Sequence, residues 1–316
     1  NGMLSIAAVK GLQGDGSGKV GRNNVAATLK HFVGHDESEG GLNQGPANYS
    51  MRVLRDYHMP PFKMCIDHAK PVSVMPSYNE VDGVPSHASK WLLKDILRGE
   101  WGYKGMIVSD YYGVDHLFNK HFVCHDATEA AMTAFNCGVQ YEFPQGNMYR
   151  VLPELLKKKK IKKEDIDKAV EQVLTFKFSL GLFENPYVDE KQAIAVSKSL
   201  LHRKTALKAA HESVVLLKNE GILPLKKGKF KKIAVIGPCA KDVWFGGYSG
   251  EPYEKVSLLD GIRNKAGNGT EVLFAQGCRL TINTTLSYFN WKYDEIRFAS
   301  REENMKLIKE AVKVAS

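Results

Sequence analysis

The stretch Gly105-Met106-Ile107-Val108-Ser109-Asp110-Tyr111-Tyr112 carries a short apolar run straight into a carboxylate followed by two aromatic residues. Apolar runs of this kind read as strands buried on both faces, the usual situation in parallel α/β sheets. An acid at the carboxyl end of such a strand stands where barrel enzymes keep their catalytic groups. Asp110 is therefore the candidate working carboxylate, and the rest of the chain is read for its partners.

Outward from this strand, residues 25–183 alternate short apolar runs with helix-like stretches, the signature of βα units around a parallel sheet. Residues 25–33 form the first expected strand and lead into a Gly-rich loop at 34–45. Residues 50–70 read as a helix interrupted or entered by Pro60-Pro61. Residues 72–78 are the second strand, and 79–85 a turn carrying Asp82-Gly83. Residues 89–99 form an amphipathic helix with Leu92, Leu93, Ile96 and Leu97 on one face. After the strand at 105–109 come a helix at 128–136, a fourth short strand at 139–143 and a helix at 166–178 closed by Gly181. Four strand–helix units amount to half of a (β/α)8 barrel, and the other units are expected before residue 1. Asn185-Pro186 then breaks the pattern, residues 193–217 read as one long helix, and a basic linker follows. A second α/β segment has strands at 232–236 and 271–275 and helices at 257–266 and 301–315.

The fold class is thus α/β. It comprises the C-terminal half of a (β/α)8 TIM-like barrel (1–183), a helical linker (184–230) and the N-terminal part of an α/β sandwich (231–316). A length of 316 residues and 43% hydrophobic content suffice for such cores. No apolar run approaches the ~20 residues that span a bilayer. Residues 1–13 read as a short amphipathic helix without the basic start of a secretory signal. Opening on Asn1, the chain is expected to be a mature form or a fragment. Cys65, Cys124, Cys137, Cys239 and Cys278 show no CxxC spacing and read as buried free thiols, not as a disulfide framework or zinc knuckle. The net charge of +9 concentrates in lysines at 157–163 and 226–232, without interleaved aromatics or a reader motif. These are expected to be solvated surface, not a nucleic-acid site.

At the end of the first strand stand Lys30 and His31, followed by Gly34-His35-Asp36-Glu37-Ser38-Glu39-Gly40-Gly41. Neighbouring strand residues point to opposite faces, so Lys30 and His31 share a target only where the strand end bends. The pair then suits a clamp on a polyhydroxylated ligand. His31, His35, Asp36 and Glu39 lack the HExxH spacing of a metal site, and Gly14–Lys19 fails both GxGxxG and Walker patterns. No GxSxG elbow is present. Tyr78 reads either as a residue that reaches Asp110 from the neighbouring strand end and tunes its ionisation, or as a cap of the sheet edge with its hydroxyl in water. Tyr111 and Tyr112 read either as a stacking platform for a sugar or as packing.

Several segments together, in fixed order, resemble glycoside hydrolase family 3. They are Lys30-His31-Phe32, Arg52-Val53-Leu54-Arg55-Asp56 with Pro60-Pro61-Phe62, Ser73-Val74-Met75-Pro76-Ser77-Tyr78-Asn79 and Asp82-Gly83-Val84-Pro85. Leu97-Arg98-Gly99-Glu100-Trp101-Gly102, Val108-Ser109-Asp110-Tyr111, Lys177-Phe178-Ser179-Leu180-Gly181-Leu182-Phe183 and Ser213-Val214-Val215-Leu216-Leu217-Lys218-Asn219 complete the set. The resemblance implies a retaining exo-acting β-glycosidase, a β-glucosidase or β-xylosidase, whose active site lies between barrel and sandwich. It assigns Asp110 as nucleophile and Lys30 and His31 as ligands of the terminal sugar's hydroxyls. Met75, Tyr78 and Tyr111 match pocket residues, and Glu39 a further sugar contact. The substrate is expected to be an oligosaccharide or aryl β-glycoside; no cofactor or metal is expected. The family's usual acid/base glutamate would lie beyond Ser316. Many members carry Arg shortly after the Gly-Gly of the loop, where this chain reads Gly41-Leu42-Asn43, which leaves the choice between glucose and xylose open. Relatives that act on plant oligosaccharides are often periplasmic or secreted. Two alternatives remain: a non-catalytic sugar-binding fragment, and the N-acetylglucosaminidase branch, whose loop acid/base finds a partial echo in His35-Asp36.

Overall fold

The computed structural model describes residues 1–243, 249–250, 252, 254–282 and 297–316. The chain divides into two compact units, Asn1–Glu190 and Lys191–Ser316.

The first unit opens with a helix, Gly2–Gln13, followed by strand β1 (Thr28–Phe32), a helix at Pro60–Ala69 and strand β2 (Ser73–Pro76). A hairpin of β3 (Glu80–Val81) and β4 (Val84–Pro85) intervenes before the helix Trp91–Glu100 and strand β5 (Met106–Ile107). The three longer-range strands pair in parallel in the order β1-β2-β5. Residues 139–143, expected as a fourth strand, contribute a single parallel bridge from Tyr141 to Val108. The ladder stops there for a physical reason. Phe143 donates its N–H to the Ser109 hydroxyl at 2.8 Å instead of to a strand, and Pro144 has none to donate.

The main core is built on this sheet. Phe32, Val74 and Ile107 lie on β1, β2 and β5, and all three are fully buried with Leu92, Leu93 and Leu97 of the helix Trp91–Glu100. That helix buries one stripe, as its apolar spacing predicts, and each such leucine removed from water contributes roughly 2 kcal/mol. Its final turn is wide: the Trp101 N–H reaches back five residues to the carbonyl of Ile96 at 2.9 Å.

Two polar side chains, the buried Gln13 and the half-buried Arg98, hold the amino ends of the strands. Gln13 accepts from the N–H of Ala27 at 3.0 Å and of Val72 at 2.9 Å, and donates to the carbonyl of Lys70 at 3.1 Å. Arg98 donates to the carbonyls of Tyr103 (2.8 Å) and Gly105 (2.6 Å) and to Gln140 Oε1 (2.8 Å). Both sets satisfy backbone groups that precede the ladders, where no strand partner exists. A cavity of about 790 Å³ opens at this same end, beside Lys70, Val72, Tyr103 and Gly105, away from Asp110.

In the second unit, β6 (Lys232–Ile236) and β7 (Glu271–Ala275) pair in parallel, with Ala234 opposite Leu273. Val235, Ala240 and Leu259 form its small core. The helices Leu258–Ala266 and Arg301–Ala315 each begin with a reciprocal capping box, Ser257 with Asp260 and Ser300 with Glu303. The long helix expected at 193–217 is instead two, Glu190–Ser197 and Leu200–Ser213. Ser199 explains the break, since its hydroxyl caps the N–H of His202 and a serine that caps starts a new helix.

All five cysteines are free. Cys65, Cys124 and Cys137 are buried as expected, but Cys239 is exposed and Cys278 half-buried, because both lie in loops of the small second core. Among the described residues no helix is long and apolar enough to cross a membrane.

Candidate active site

Asp110 follows β5 and is 7% exposed. Its surroundings are set by a run of five consecutive amides, each with a partner. Ser109 N–H donates to the carbonyl of Tyr141 (2.8 Å), Tyr112 N–H to that of Phe143 (3.1 Å) and Gly113 N–H to that of Asp110 (3.0 Å). Tyr111 N–H donates to Asp110 Oδ1 at 2.7 Å. The Asp110 N–H goes to a side chain, His87 Nε2, at 3.0 Å. The turn is therefore clamped from neighbouring elements, and the carboxylate is aimed by its own backbone.

Asp110 Oδ2 is left differently. It is buried and accepts no hydrogen bond among the described residues. His31 Nε2 lies 3.3 Å from it. Burial pushes the His31 imidazole down to about 4, a depression that Asp110 opposes and the nearby Lys30 and His35 reinforce. His31 is thus neutral near pH 7, and Oδ2 keeps a lone pair without a partner. A buried unsatisfied oxygen on an otherwise saturated turn calls for an explanation, and a reactive role supplies one.

The pair Lys30 and His31 sits at the end of β1, where the register with β2 shifts between Leu29 and Phe32. That irregularity breaks the strict alternation of strand faces. It brings His31 to Asp110, with the Lys30 charge close enough to act on the His31 ring. The Tyr78 hydroxyl donates to the backbone carbonyl of Tyr111 at 2.7 Å, so this tyrosine braces the residue after Asp110. Its ring lies among histidines, 5.3 Å from His116 and 6.5 Å from both His35 and His87. Met75 is buried on β2. Tyr111 is half exposed, with its ring 6.2 Å from Phe143.

Glu39 occupies a one-turn segment of the loop, where its Oε1 accepts from Asn48 Nδ2 at 2.8 Å. In the same loop Asp36 lies 3.3 Å from His58 Nδ1 and is exposed, so it is engaged by a histidine other than its neighbour His35. His35 instead faces the His31 ring at 4.7 Å. Residues 14–19 form a turn after the first helix, with Ser17 N–H bonded to Asp15 Oδ1 at 2.8 Å.

Two functional-looking residues carry no signal in the sequence reading. His87 lies just past the Asp-Gly turn, between the turn expected at 79–85 and the helix expected at 89–99. It is brought beneath Asp110 by a buried polar knot in which Ser77 and Ser86 share a 2.9 Å hydroxyl contact and the Ser86 hydroxyl donates to the Asn79 carbonyl. Glu142, at the tip of the single-bridge segment, is a buried carboxylate raised above its ordinary range by burial. Its Oε2 accepts from the N–H groups of Met148 and Tyr149, so it serves as a loop clasp.

Residues 2–176 match the Glycosyl hydrolase family 3 N terminal domain, and residues 214–316 match the Glycosyl hydrolase family 3 C-terminal domain. The chain belongs to glycosyl hydrolase family 3. Its family-3 relatives include a β-xylosidase of Formosa agariphila, 38% identical over 87% of this chain and 40% of that protein. Another is a periplasmic β-glucosidase of Salmonella typhimurium, 36% identical over 99% of this chain and 41% of that protein. The solved structure of a β-glucosidase from Erythrobacter marinus superposes with a TM-score of 0.89 at 36% identity, covering 98% of this chain and 42% of that one. The chain thus spans about 40% of the length of the curated relatives it matches. Its α/β architecture, part of a (β/α)8-type barrel followed by part of an α/β sandwich, is that of family 3.

Proposed function

We propose that this chain carries the nucleophile half of a retaining, exo-acting β-glycosidase, with Asp110 as the nucleophile. The observation that supports it most is the unsatisfied, buried Oδ2 of a carboxylate whose other oxygen and whose turn are fully hydrogen-bonded. Such an oxygen is preorganised to attack an anomeric carbon, forming a glycosyl ester while the bond to the leaving oxygen breaks. Neutral His31, together with Lys30, would hold hydroxyls of the terminal sugar, with Met75 and Tyr78 shaping the floor. The exposed Tyr111 ring would meet a sugar face, and Glu39 would bind a hydroxyl from the loop. Glucose and xylose are the sugars favoured, since the relatives include both β-glucosidases and β-xylosidases.

The test is covalent labelling with dinitrophenyl 2-deoxy-2-fluoro-β-glucoside and its xyloside counterpart. Dinitrophenolate departs as the anion without needing a proton donor, so the experiment isolates the nucleophile. A mass increase on the peptide bearing Asp110, absent from Asp110→Ala, is the expected result. Sugar binding without any adduct would instead identify a non-catalytic sugar-binding chain.

A further inference from the structure

His87 has no place in the chemistry above, yet it makes the only side-chain contact to the Asp110 main-chain N–H among the described residues. We propose that His87 is a positioning residue for the Asp110 carboxylate, acting through the Asp110 backbone N–H. This rests on the reading of Asp110 as the nucleophile.

Asp110 Oδ1 is tied to the next amide, so the direction of Oδ2 follows the orientation of the peptide units on either side of the Asp110 Cα. On the far side, Ser109 is fixed by Tyr141 and, through its hydroxyl, by Phe143. The remaining freedom is rotation of the Ser109–Asp110 peptide, and the His87 contact removes it. Because an N–H is the donor, Nε2 must present a lone pair, which puts the ring proton on Nδ1, toward the hydrogen-bonding backbone of Ser77. The ring is fully buried, and burial pushes it down to about 4, so the acceptor persists through neutral pH.

The main chain also bounds the ring on one side. A Cβ built on Gly113 would lie 2.3 Å from His87 Nε2, so the main chain three residues past Asp110 packs directly on the imidazole. The turn that carries Asp110 and the ring that accepts its N–H are therefore mutually wedged. A histidine that merely filled space would not need a lone pair at that atom, and the two roles separate experimentally.

Three variants of the chain distinguish them. His87→Gln keeps an acceptor near the position of Nε2. His87→Asn keeps a donor on the Ser77 side but is too short to reach the Asp110 amide. Gly113→Ala leaves His87 in place and pushes its ring aside. The readouts are the rate of fluoro-glycoside labelling of Asp110, with its saturation constant, and hydrogen exchange of the Asp110 amide followed by NMR. A misplacement of ~1 Å costs on the order of 100-fold in rate. Accordingly His87→Asn and Gly113→Ala are expected to label about 10- to 100-fold more slowly at an unchanged saturation constant, with faster Asp110 amide exchange. His87→Gln is expected within about threefold of the parent chain in both readouts, a rescue that a space-filling role does not predict. Equal rates for His87→Asn and the parent, or equal slowing in His87→Gln and His87→Asn, would overturn the proposal. Absence of labelling in the parent chain would instead overturn the nucleophile reading. The amide exchange then decides the positioning contact alone: protection retained in His87→Asn would refute it, and protection lost there but kept in His87→Gln would support it.

Discussion

His31 Nε2 stands 3.3 Å from Asp110 Oδ2, and the imidazole is neutral near pH 7 because burial outweighs the pull of the carboxylate. The contact is therefore between a neutral ring and a carboxylate oxygen, not a charged ion pair. Its consequence for pH is opposite to that of an ordinary histidine–carboxylate bridge.

Three histidines, the buried His87 and the half-buried His31 and His116, are each pushed down to about 4. A group whose folded pKa lies below its unfolded value of about 6.5 leaves the unfolded chain binding more protons as pH falls. Stability is therefore whole above about pH 6.5 and declines from there toward about pH 4. Asp115 and Glu142, both raised by burial, oppose this trend. The fully buried His87, which faces Asp110, His116 and His121, is isolated by comparing His87→Gln with the parent chain. Between pH 7.5 and 4.5 the parent is expected to lose on the order of 2–3 kcal/mol more than the variant in urea unfolding. Parallel pH curves would contradict the assignment.

Leu97 is fully buried on the helix that packs under β2 and β5. Leu97→Ala leaves a cavity between close-packed neighbours and is expected to cost about 2–5 kcal/mol in chemical denaturation. The helix stays, since alanine favours it, so far-ultraviolet circular dichroism below the transition is unchanged.

The hairpin turn of β3 and β4 holds Asp82 at φ 49° and Gly83 at φ 76°, the pairing that two-residue hairpins require. A Cβ at Gly83 would touch nothing within 4 Å, so only the backbone conformation resists substitution. Gly83→Ala is expected to lower stability by about 1 kcal/mol. Because this hairpin delivers His87, the same variant should modestly slow Asp110 labelling. A loss above about 3 kcal/mol would point to a contact the turn does not show.

Arg98 satisfies two carbonyls and one side chain at the foot of β5. Arg98→Met keeps the aliphatic packing and leaves the Tyr103 and Gly105 carbonyls without their donor. The expected cost is about 2–4 kcal/mol, read from the midpoint of thermal unfolding. Arg98→Lys recovers only part of it, since one ammonium cannot reproduce the planar fork.

Much of the site was legible because its strands are short apolar runs ending in polar residues. The 105–109 run, with its central pair Met106–Ile107 in the sheet, predicted both β5 and the position of Asp110. The Asp82-Gly83 dipeptide predicted the turn, and the helices expected at 257–266 and 301–315 are present at Leu258–Ala266 and Arg301–Ala315. What escaped the sequence depends on contacts between distant segments. His87 sits 23 residues from Asp110, in a loop without periodicity, and only the folded hairpin brings the two together. Gln13, reaching Ala27, Lys70 and Val72, is invisible for the same reason. The fourth strand and the single long helix failed where a hydroxyl took over a backbone hydrogen bond, at Ser109 and at Ser199. Periodicity records which face is apolar; it does not record which local donor or acceptor ends the pattern.

The amide run from Ser109 to Gly113 is held entirely by main-chain carbonyls, His87 and the Asp110 carboxylate itself. The side chains of Tyr111 and Tyr112, both about half exposed, contribute nothing to that clamp. Aim and outward surface are thus written on separate atoms of one short segment. Exchanging Tyr111 or Tyr112 for other aromatic residues redraws what an incoming molecule meets while the carboxylate keeps its bearing, so this segment can diversify in preference without first relearning its chemistry.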